Sequence, residues 1–283
     1  MKNWSPTDLT NVYSQFGEDA ILQCAIKTIR EVEPLDQYCV EFGAWDGLNF
    51  SNTANLIKNF EWSAVLIESD KTRFGELLAN FPEDRVTKVN DFVHFEGDSA
   101  LENILHKYKV PLNFDLLSID IDGGDFWIFK SISKYKPKII VIEFNPTIPN
   151  RIYFVNERDI LVNQGSSLKA LVELGKEKGY FPFATTVCNL ILIDTKYESY
   201  FPEHPKTLDE LHTEEYKTDI WIGFDGAVFL SNDLPFLWHS FTINQDQLQV
   251  IPKYLRLFPE NYTKLQTLVF IMYKKYLAWV GRL

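Results

Sequence analysis

Apolar positions along this chain follow two rhythms that alternate. Short β-branched or aliphatic runs at 39–42, 64–67, 85–89, 114–119 and 138–144 have the length and bounding turn residues of strands. Between them apolar residues recur at helical spacing. Ile21, Leu22, Ala25 and Ile26 predict a helix starting near Glu18, and Ala54-Asn55-Leu56-Ile57 opens another behind Ser51-Asn52-Thr53. Further helices are predicted over 71–80, 101–108, 126–133 and 168–178, the last stopped by Gly179. Two strands at 181–185 and 190–194 then follow with only a hairpin between them. The run KIIVIEF at 138–144 is the most apolar, as expected for the middle of a parallel sheet. Alternation that closes on two adjacent strands predicts an α/β protein with a mostly parallel sheet and one antiparallel edge. Beyond Asp194 the rhythm changes. Pro202 and Pro205, the acidic TLDELHTEEY, a hairpin-like WIGFDGAVFL and an aromatic amphipathic stretch at 264–283 predict a separate extension. The expected domains are therefore 1–195 and 196–283.

The stretch QYCVEFGAWDG at 37–47 organises the first part. Strand, glycine turn and helix is how an α/β sheet begins a nucleotide pocket, with ligand at the carboxyl ends of the strands. Gly43 and Gly47 frame the turn. The second strand ends in Glu68, about twenty residues further on, where a carboxylate holds a ribose diol. The turn is not a dinucleotide fingerprint: Trp45 replaces the middle glycine and Asp46 puts negative charge where a phosphate would sit. With Glu41 and Asp70 nearby, such a mouth repels phosphate and suits a nucleoside bearing a cationic group. S-adenosylmethionine has that character, and NAD does not. The plainer reading is a βαβ unit with a tight turn and no ligand.

A second acidic group closes the fourth strand, in Ser118-Ile119-Asp120-Ile121-Asp122-Gly123-Gly124-Asp125. Period-two alternation puts Asp120 and Asp122 on one face if extension persists, and likewise Glu143 and Asn145 at the end of the fifth strand. Asp120 or Asp122 is placed to orient and deprotonate an acceptor hydroxyl, and Asp125 to cap the next helix. Asp120, Glu143 and Asn145 offer three oxygen ligands to Mg²⁺, or alternatively a hydrogen-bonded brace for the next loop. Of five scattered histidines, His94 alone follows a pocket strand and is the other candidate base. Ser14-Gln15 and Gly17, before the first helix, read either as a cap or as a lid.

Composition narrows the functional classes. A net charge of −11 on 283 residues disfavours a broad nucleic-acid or anionic-membrane surface and leaves room for local basic patches. Cys24, Cys39 and Cys188 are odd in number and widely spaced, which fits a reducing, cytoplasmic setting. The first residues carry no apolar core of a signal peptide, and no run has the length of a membrane span. The aromatic carboxy-terminal helix, its apolar run broken by lysines, is expected to serve as core or as a homo-oligomer contact rather than as a membrane anchor.

In this order and spacing, YSQFGED, VEFGAWDG, LIESD, LLSIDIDGGD and VIEFNP resemble the FkbM-type branch of the class I S-adenosylmethionine-dependent methyltransferases, over roughly 13–195. The resemblance implies a Rossmann-like class I methyltransferase fold: a mostly parallel seven-stranded sheet with one antiparallel edge strand, here with a C-terminal extension. It implies O-methylation of a sugar, nucleotide-sugar or related natural-product hydroxyl, on a small-molecule or glycan acceptor. By position it assigns Glu41, Gly43, Ala44 and Gly47 to the methionine part, Glu68 and Ser69 to the ribose, Asn90 and Asp91 to the adenine region, Asp120 to the reaction edge and Gln15 to the lid. Glu41 and Phe42 depart from many members, which have an aspartate and a smaller apolar residue there. The competing class is a non-catalytic binding or assembly protein that keeps the fold.

Overall fold

The computed structural model describes residues 11–281. The first ten residues and 282–283, where the polar lead-in and the end of the last helix were expected, lie outside them. The chain forms two compact units, Met1–Glu214 and Glu215–Leu283.

In the first unit the elements run α1 (Glu18–Arg30), β1 (Tyr38–Phe42), α2 (Ala54–Phe60), β2 (Ser63–Ile67), α3 (Lys71–Asn80), β3 (Val86–Val89), α4 (Leu101–Lys107), β4 (Leu116–Ile119), α5 (Asp125–Ser131), β5 (Ile139–Glu143), α6 (Leu168–Glu177), β6 (Tyr180–Thr185), β7 (Asn189–Asp194) and the short α7 (Leu208–Leu211). The seven strands form one sheet in the order β3-β2-β1-β4-β5-β7-β6. β1 to β5 are parallel, and β7 pairs antiparallel with both β5 and β6. This is the α/β architecture of the class I methyltransferase fold, with its reversed strand in the β5-β7-β6 edge.

Both faces of the sheet are covered, which is why the central strands are continuously apolar rather than alternating. Val40, Phe42, Leu117, Ile119, Ile140 and Ile142 pack under α4, α5 and α6. Cys39, Ala64, Leu66, Leu116, Ile139 and Val141 pack under α1, α2 and the Leu77–Phe81 end of α3. At the amino ends of β4 and β5, Lys138 and Asp115 form a buried ion pair at 2.7 Å. Asp115 also accepts the Tyr38 amide at 3.0 Å, and Lys138 donates to the Asn113 carbonyl at 2.9 Å. This polar pin is satisfied on both sides, and it lies at the opposite edge from the site described below.

The segment 196–214, expected in the extension, packs with the first unit. Tyr197 is buried, with its hydroxyl on Glu33, and the Phe201 and His204 rings pack at a tilt against the Phe181 ring. Burial of these aromatics holds the connection to the sheet past Asp194, so the unit boundary falls after Glu214.

The second unit contains two small hairpins, β8 (Ile220–Ile222) with β9 (Val228–Leu230) and β10 (Leu234–Phe236) with β11 (Phe241–Ile243), and the helix α8 (Lys264–Trp279). The second hairpin was not foreseen: its strands have three residues each, and Pro235 in one of them argues against a strand. Thr263 and Gln266 form a reciprocal capping box that starts α8. Among the described residues, no helix is long and apolar enough to cross a membrane.

Candidate active site at the carboxyl ends of β1, β2, β4 and β5

The glycine turn is held in place by its acids. Glu68, which ends β2 and is buried, accepts the Trp45 amide at 2.8 Å on one oxygen and the Asp70 amide at 2.6 Å on the other. Its carboxylate is thereby oriented at the sheet edge, and each oxygen keeps a lone pair for a ligand. Asn90, at the end of β3, donates to the Glu68 carbonyl at 2.7 Å and the Ser69 carbonyl at 3.1 Å. Asp91 accepts from the Phe92 amide and the Ser99 hydroxyl. The residues assigned to ribose and adenine, Glu68, Ser69, Asn90 and Asp91, thus converge at the ends of two paired strands. Asp46 is spent on its own turn, accepting the Leu48 and Asn49 amides at 2.9 and 2.8 Å.

Gly43 has φ +73°, and a Cβ there would lie 1.6 Å from the Asp120 carbonyl oxygen. The β1 turn therefore passes directly against the end of β4, and only glycine allows both the backbone angle and the approach. Ala44 beside it is buried. Gly47 has φ +78°, and a Cβ there would strike Leu77 and Phe81. Glycine is thus required there for packing against α3 as well as for the backbone angle.

Glu41 does not offer free oxygens to a ligand, contrary to its assignment. It is buried and accepts the Asn52 amide at 2.9 Å and the Ser51 and Thr53 hydroxyls, each at 2.6 Å. It fixes the loop that leads into α2, and burial raises its pKa. The YSQFGED segment shows the same device twice. Asp19 accepts the amides of Val12, Tyr13 and Ser14 at 2.9, 2.7 and 3.1 Å. Glu18, fully buried, accepts the Phe16 amide at 2.9 Å, the Thr186 hydroxyl at 2.5 Å and the Asn189 amide group at 3.0 Å. A bridge between Ser14 and Phe50 sets the exposed Gln15 beside the glycine turn. The sequence marks Glu18 and Asp19 only as first-turn acids; their burial is what reveals them as loop anchors.

Asp120, Asp122 and Glu143 place carboxylate oxygens within 4.8 Å of one another. Asp120 and Glu143 are half-buried and Asp122 is exposed. Extension does not persist to Asp122, which has φ +57°; the turn, rather than strand alternation, brings it to the others. Burial pushes Asp120 well above the usual carboxylate range, with Asp125 and Asp122 adding repulsion. Burial, then Asp120, raises Glu143 to about 10. Asp125, whose pKa burial raises to about 6, accepts the Ile121 and Gly123 amides at 2.9 Å each and holds the turn. Burial, then Glu143 and Asp120, also raises the Cys188 thiol, which leaves it a poor nucleophile.

The raised carboxyls give a stability prediction. A folded-state pKa above the unfolded value means that the folded chain holds the extra proton, so stability falls as pH rises from about 4.5 to about 10 through this window. Glu143→Gln removes one of the crowded charges. It is expected to flatten this decline and raise the stability of the ligand-free protein at pH 8 by roughly 1–2 kcal/mol. Urea unfolding at pH 6 and pH 8 checks this; a variant that loses stability more steeply with pH than the parent contradicts it.

Two other expected site residues lie elsewhere. Asn145 was expected as a metal ligand. Its side-chain oxygen accepts the Thr147 amide at 3.0 Å and hydroxyl at 2.7 Å, and its NH₂ donates to the Gln164 carbonyl at 2.8 Å. It braces the loop after β5, and Asp122 takes its place in the cluster. His94 was expected as the alternative base. Its backbone bridges Ser99 and Ala100, and its ring packs against Phe95 with Nδ1 buried and without a hydrogen-bond partner. β3, which precedes it, stands three strand spacings from β4, about 14 Å. His94 thus follows a strand on the far side of β1 and β2 from the carboxylate cluster. At the rim the sequence reading missed Trp45 as a surface: its exposed ring carries the Arg73 guanidinium at 4.8 Å and faces Phe50 at 6.1 Å.

Sheet order and a glycine turn that meets the end of β4 are those of the class I methyltransferase fold. Residues 56–182, somewhat under half of the chain, match the family model of the methyltransferase FkbM domain. Solved structures similar to part of the chain include the CMeT domain of the citrinin polyketide synthase (11% identity, covering 63% of this chain and 51% of that one, TM-score 0.40). An O-methyltransferase from neocarzinostatin biosynthesis, in complex with S-adenosyl-L-homocysteine and 1,4-dihydroxy-2-naphthoic acid, is similar at 14% identity (62% and 55% covered, TM-score 0.36). A SAM-dependent methyltransferase from Aquifex aeolicus is similar at 9% identity (67% and 97% covered, TM-score 0.35). The chain thus spans about half the length of the first two. A comparison with curated proteins gives no match.

Proposed function

We propose that the chain is an S-adenosylmethionine-dependent O-methyltransferase acting on a hydroxyl of a sugar, nucleotide-sugar or related natural product in the cytoplasm. The observation that carries this reading is the crowding of Asp120, Asp122 and Glu143 within 4.8 Å, beside a turn that meets Asp120 and is tied to Glu68. Carboxylates pushed this far upward by burial and mutual repulsion favour a cationic partner and disfavour phosphate. A sulfonium nucleoside fits that donor set. Glu68 would hold the ribose diol, with Ser69, Asn90 and Asp91 bordering the base and the Gly43-Ala44 backbone along the methionine part. When bound, S-adenosylmethionine supplies an electrophilic methyl group. Asp120 then orients the acceptor hydroxyl and takes its proton, Asp122 shares that proton, and the 11–17 loop tied down by Asp19 excludes water. Asp120, Asp122 and Glu143 are also the oxygen set that would hold Mg²⁺, and a chelator titration separates that arrangement from direct base catalysis.

Calorimetry with S-adenosylmethionine, S-adenosylhomocysteine and NAD tests the reading. Micromolar binding of the first two and none of NAD is expected. NAD binding alone ends the proposal, and tight binding of the methyl donor with no transfer to any hydroxyl in an acceptor panel would leave the binding-protein reading instead. In the same assay Glu68→Gln keeps an oxygen for a turn amide and loses the charge. It is expected to weaken the methyl donor by about 1.5–3 kcal/mol with an unchanged fold. Undiminished affinity in a folded variant would show that Glu68 serves the turn alone.

A further inference from the structure

The helix α8 divides around its axis into three sectors. Gln266, Val269, Phe270, Tyr273 and Leu277 form its inward face, and Tyr262 packs edge-on against Phe270. Leu265, Leu268, Met272, Tyr276 and Trp279 follow one another at spacings of three and four residues and so form one stripe. That stripe faces water: the five are 69%, 55%, 63%, 55% and 83% exposed. At 100° per residue, Lys264 and Lys275 border the stripe on one side, whereas Lys274 lies nearly opposite the stripe. All three lysines are exposed. A helix of this length covers about 24 Å, too short to span a bilayer but ample to lie along one.

Charge selects the occupant of this stripe. Over residues 253–281 the basic side chains are Lys253, Arg256, Lys264, Lys274 and Lys275, against the single acid Glu260, in a chain whose net charge is −11. A second copy of the helix laid antiparallel on the stripe would bring Lys264 and Lys275 of one against those of the other. An anionic surface with an apolar interior satisfies both the lysine border and the Leu, Met, Tyr and Trp side chains, and aromatic rings of this kind sit at the headgroup boundary. We propose that α8 docks the protein in the plane of an anionic lipid bilayer, its stripe sunk to the headgroup boundary and Lys264 and Lys275 on the lipid phosphates.

The test uses the full chain and vesicles of phosphatidylcholine, either alone or enriched in phosphatidylserine. Co-sedimentation with the phosphatidylserine vesicles is expected, weakening as salt is raised. Each lysine near such a surface is worth roughly fivefold, so Lys264→Gln and Lys275→Gln together should lower vesicle affinity about twenty-fivefold, and Lys274→Gln alone should change it little. Leu268→Ser with Trp279→Ser should abolish it. These variants should keep the parent's far-ultraviolet spectrum; if the double serine variant does not fold, the blue shift of emission on phosphatidylserine vesicles, lost in Trp279→Phe, reads the same contact. Equal binding to phosphatidylcholine alone overturns the anionic assignment. A stable dimer mass without vesicle binding hands the stripe to a second copy, and a monomer that binds neither vesicle overturns the proposal outright.

Discussion

Asp120→Asn is expected to reduce methyl transfer by roughly 10²–10⁴-fold while leaving affinity for the methyl donor within a few fold. A carboxylate of ordinary pKa is a weak base for an alcohol. Asp120 is not in an ordinary setting: burial, then Asp125 and Asp122, hold its carboxyl well above the usual range, which strengthens it as a base. Asparagine keeps the size and can still donate and accept hydrogen bonds, so a loss of turnover without a loss of binding isolates proton removal. The measurement is initial rate on an accepted hydroxyl substrate, paired with calorimetry of the variant. Near-parental turnover would remove Asp120 from the chemistry. Loss of donor binding in the variant would instead place Asp120 among the binding groups.

Gly43→Ala is expected to cost at least about 3 kcal/mol of stability and, in any fraction that folds, most of the donor affinity. Two penalties act together. A φ of +73° disfavours any residue with a Cβ, and that Cβ would sit 1.6 Å from the Asp120 carbonyl oxygen. The second cannot be relieved by a rotamer change, because the obstructing atom is backbone. The β1 turn or the end of β4 must move, and either displaces Asp120 from the turn it adjoins. Chemical denaturation reads the first effect and calorimetry the second. Gly75→Ala is the control, since a Cβ at Gly75, within α3, meets nothing. Comparable stability in the two variants would show that the close approach does not constrain the turn.

The strands and helices of the first unit were legible because each pairs a strong apolar period with a clear stop signal. The run at 71–80 coincides with α3 down to its Asp70 cap, which accepts the Thr72 and Arg73 amides. The sheet edge where the site lies was legible for the same reason, since Glu68, Asp120 and Glu143 all close or follow strands. What each acid does there was not. Glu41 and Glu68 end neighbouring strands and have the same carboxylate. One is consumed by the Ser51-Asn52-Thr53 loop, and the other keeps lone pairs at the edge. That difference depends on where a loop folds back, which no local period encodes. Asp122 joined the cluster through a positive φ at a turn, and Asn145 left it for Thr147, both by backbone geometry beyond strand alternation. The extension after Asp194 was misdivided because the rings of Phe201 and His204 find the sheet across a proline-rich connection.

The bonds of Glu18 to Thr186 and Asn189 bear on how the protein is made. A helix near the start of the chain carries a buried carboxylate whose partners arrive some 170 residues later, within the last hairpin of the sheet. During synthesis at roughly 5–20 residues per second, that carboxylate waits on the order of ten seconds or more for its partners. Until then α1 has a charge to bury and no hydroxyl or amide from β6 and β7 to satisfy it, so docking of the first helix is coupled to completion of the last strand pair. Nascent chains that end before Asn189 should therefore stay open at the edge where the candidate site forms, and that edge is complete only when the whole sheet has been translated.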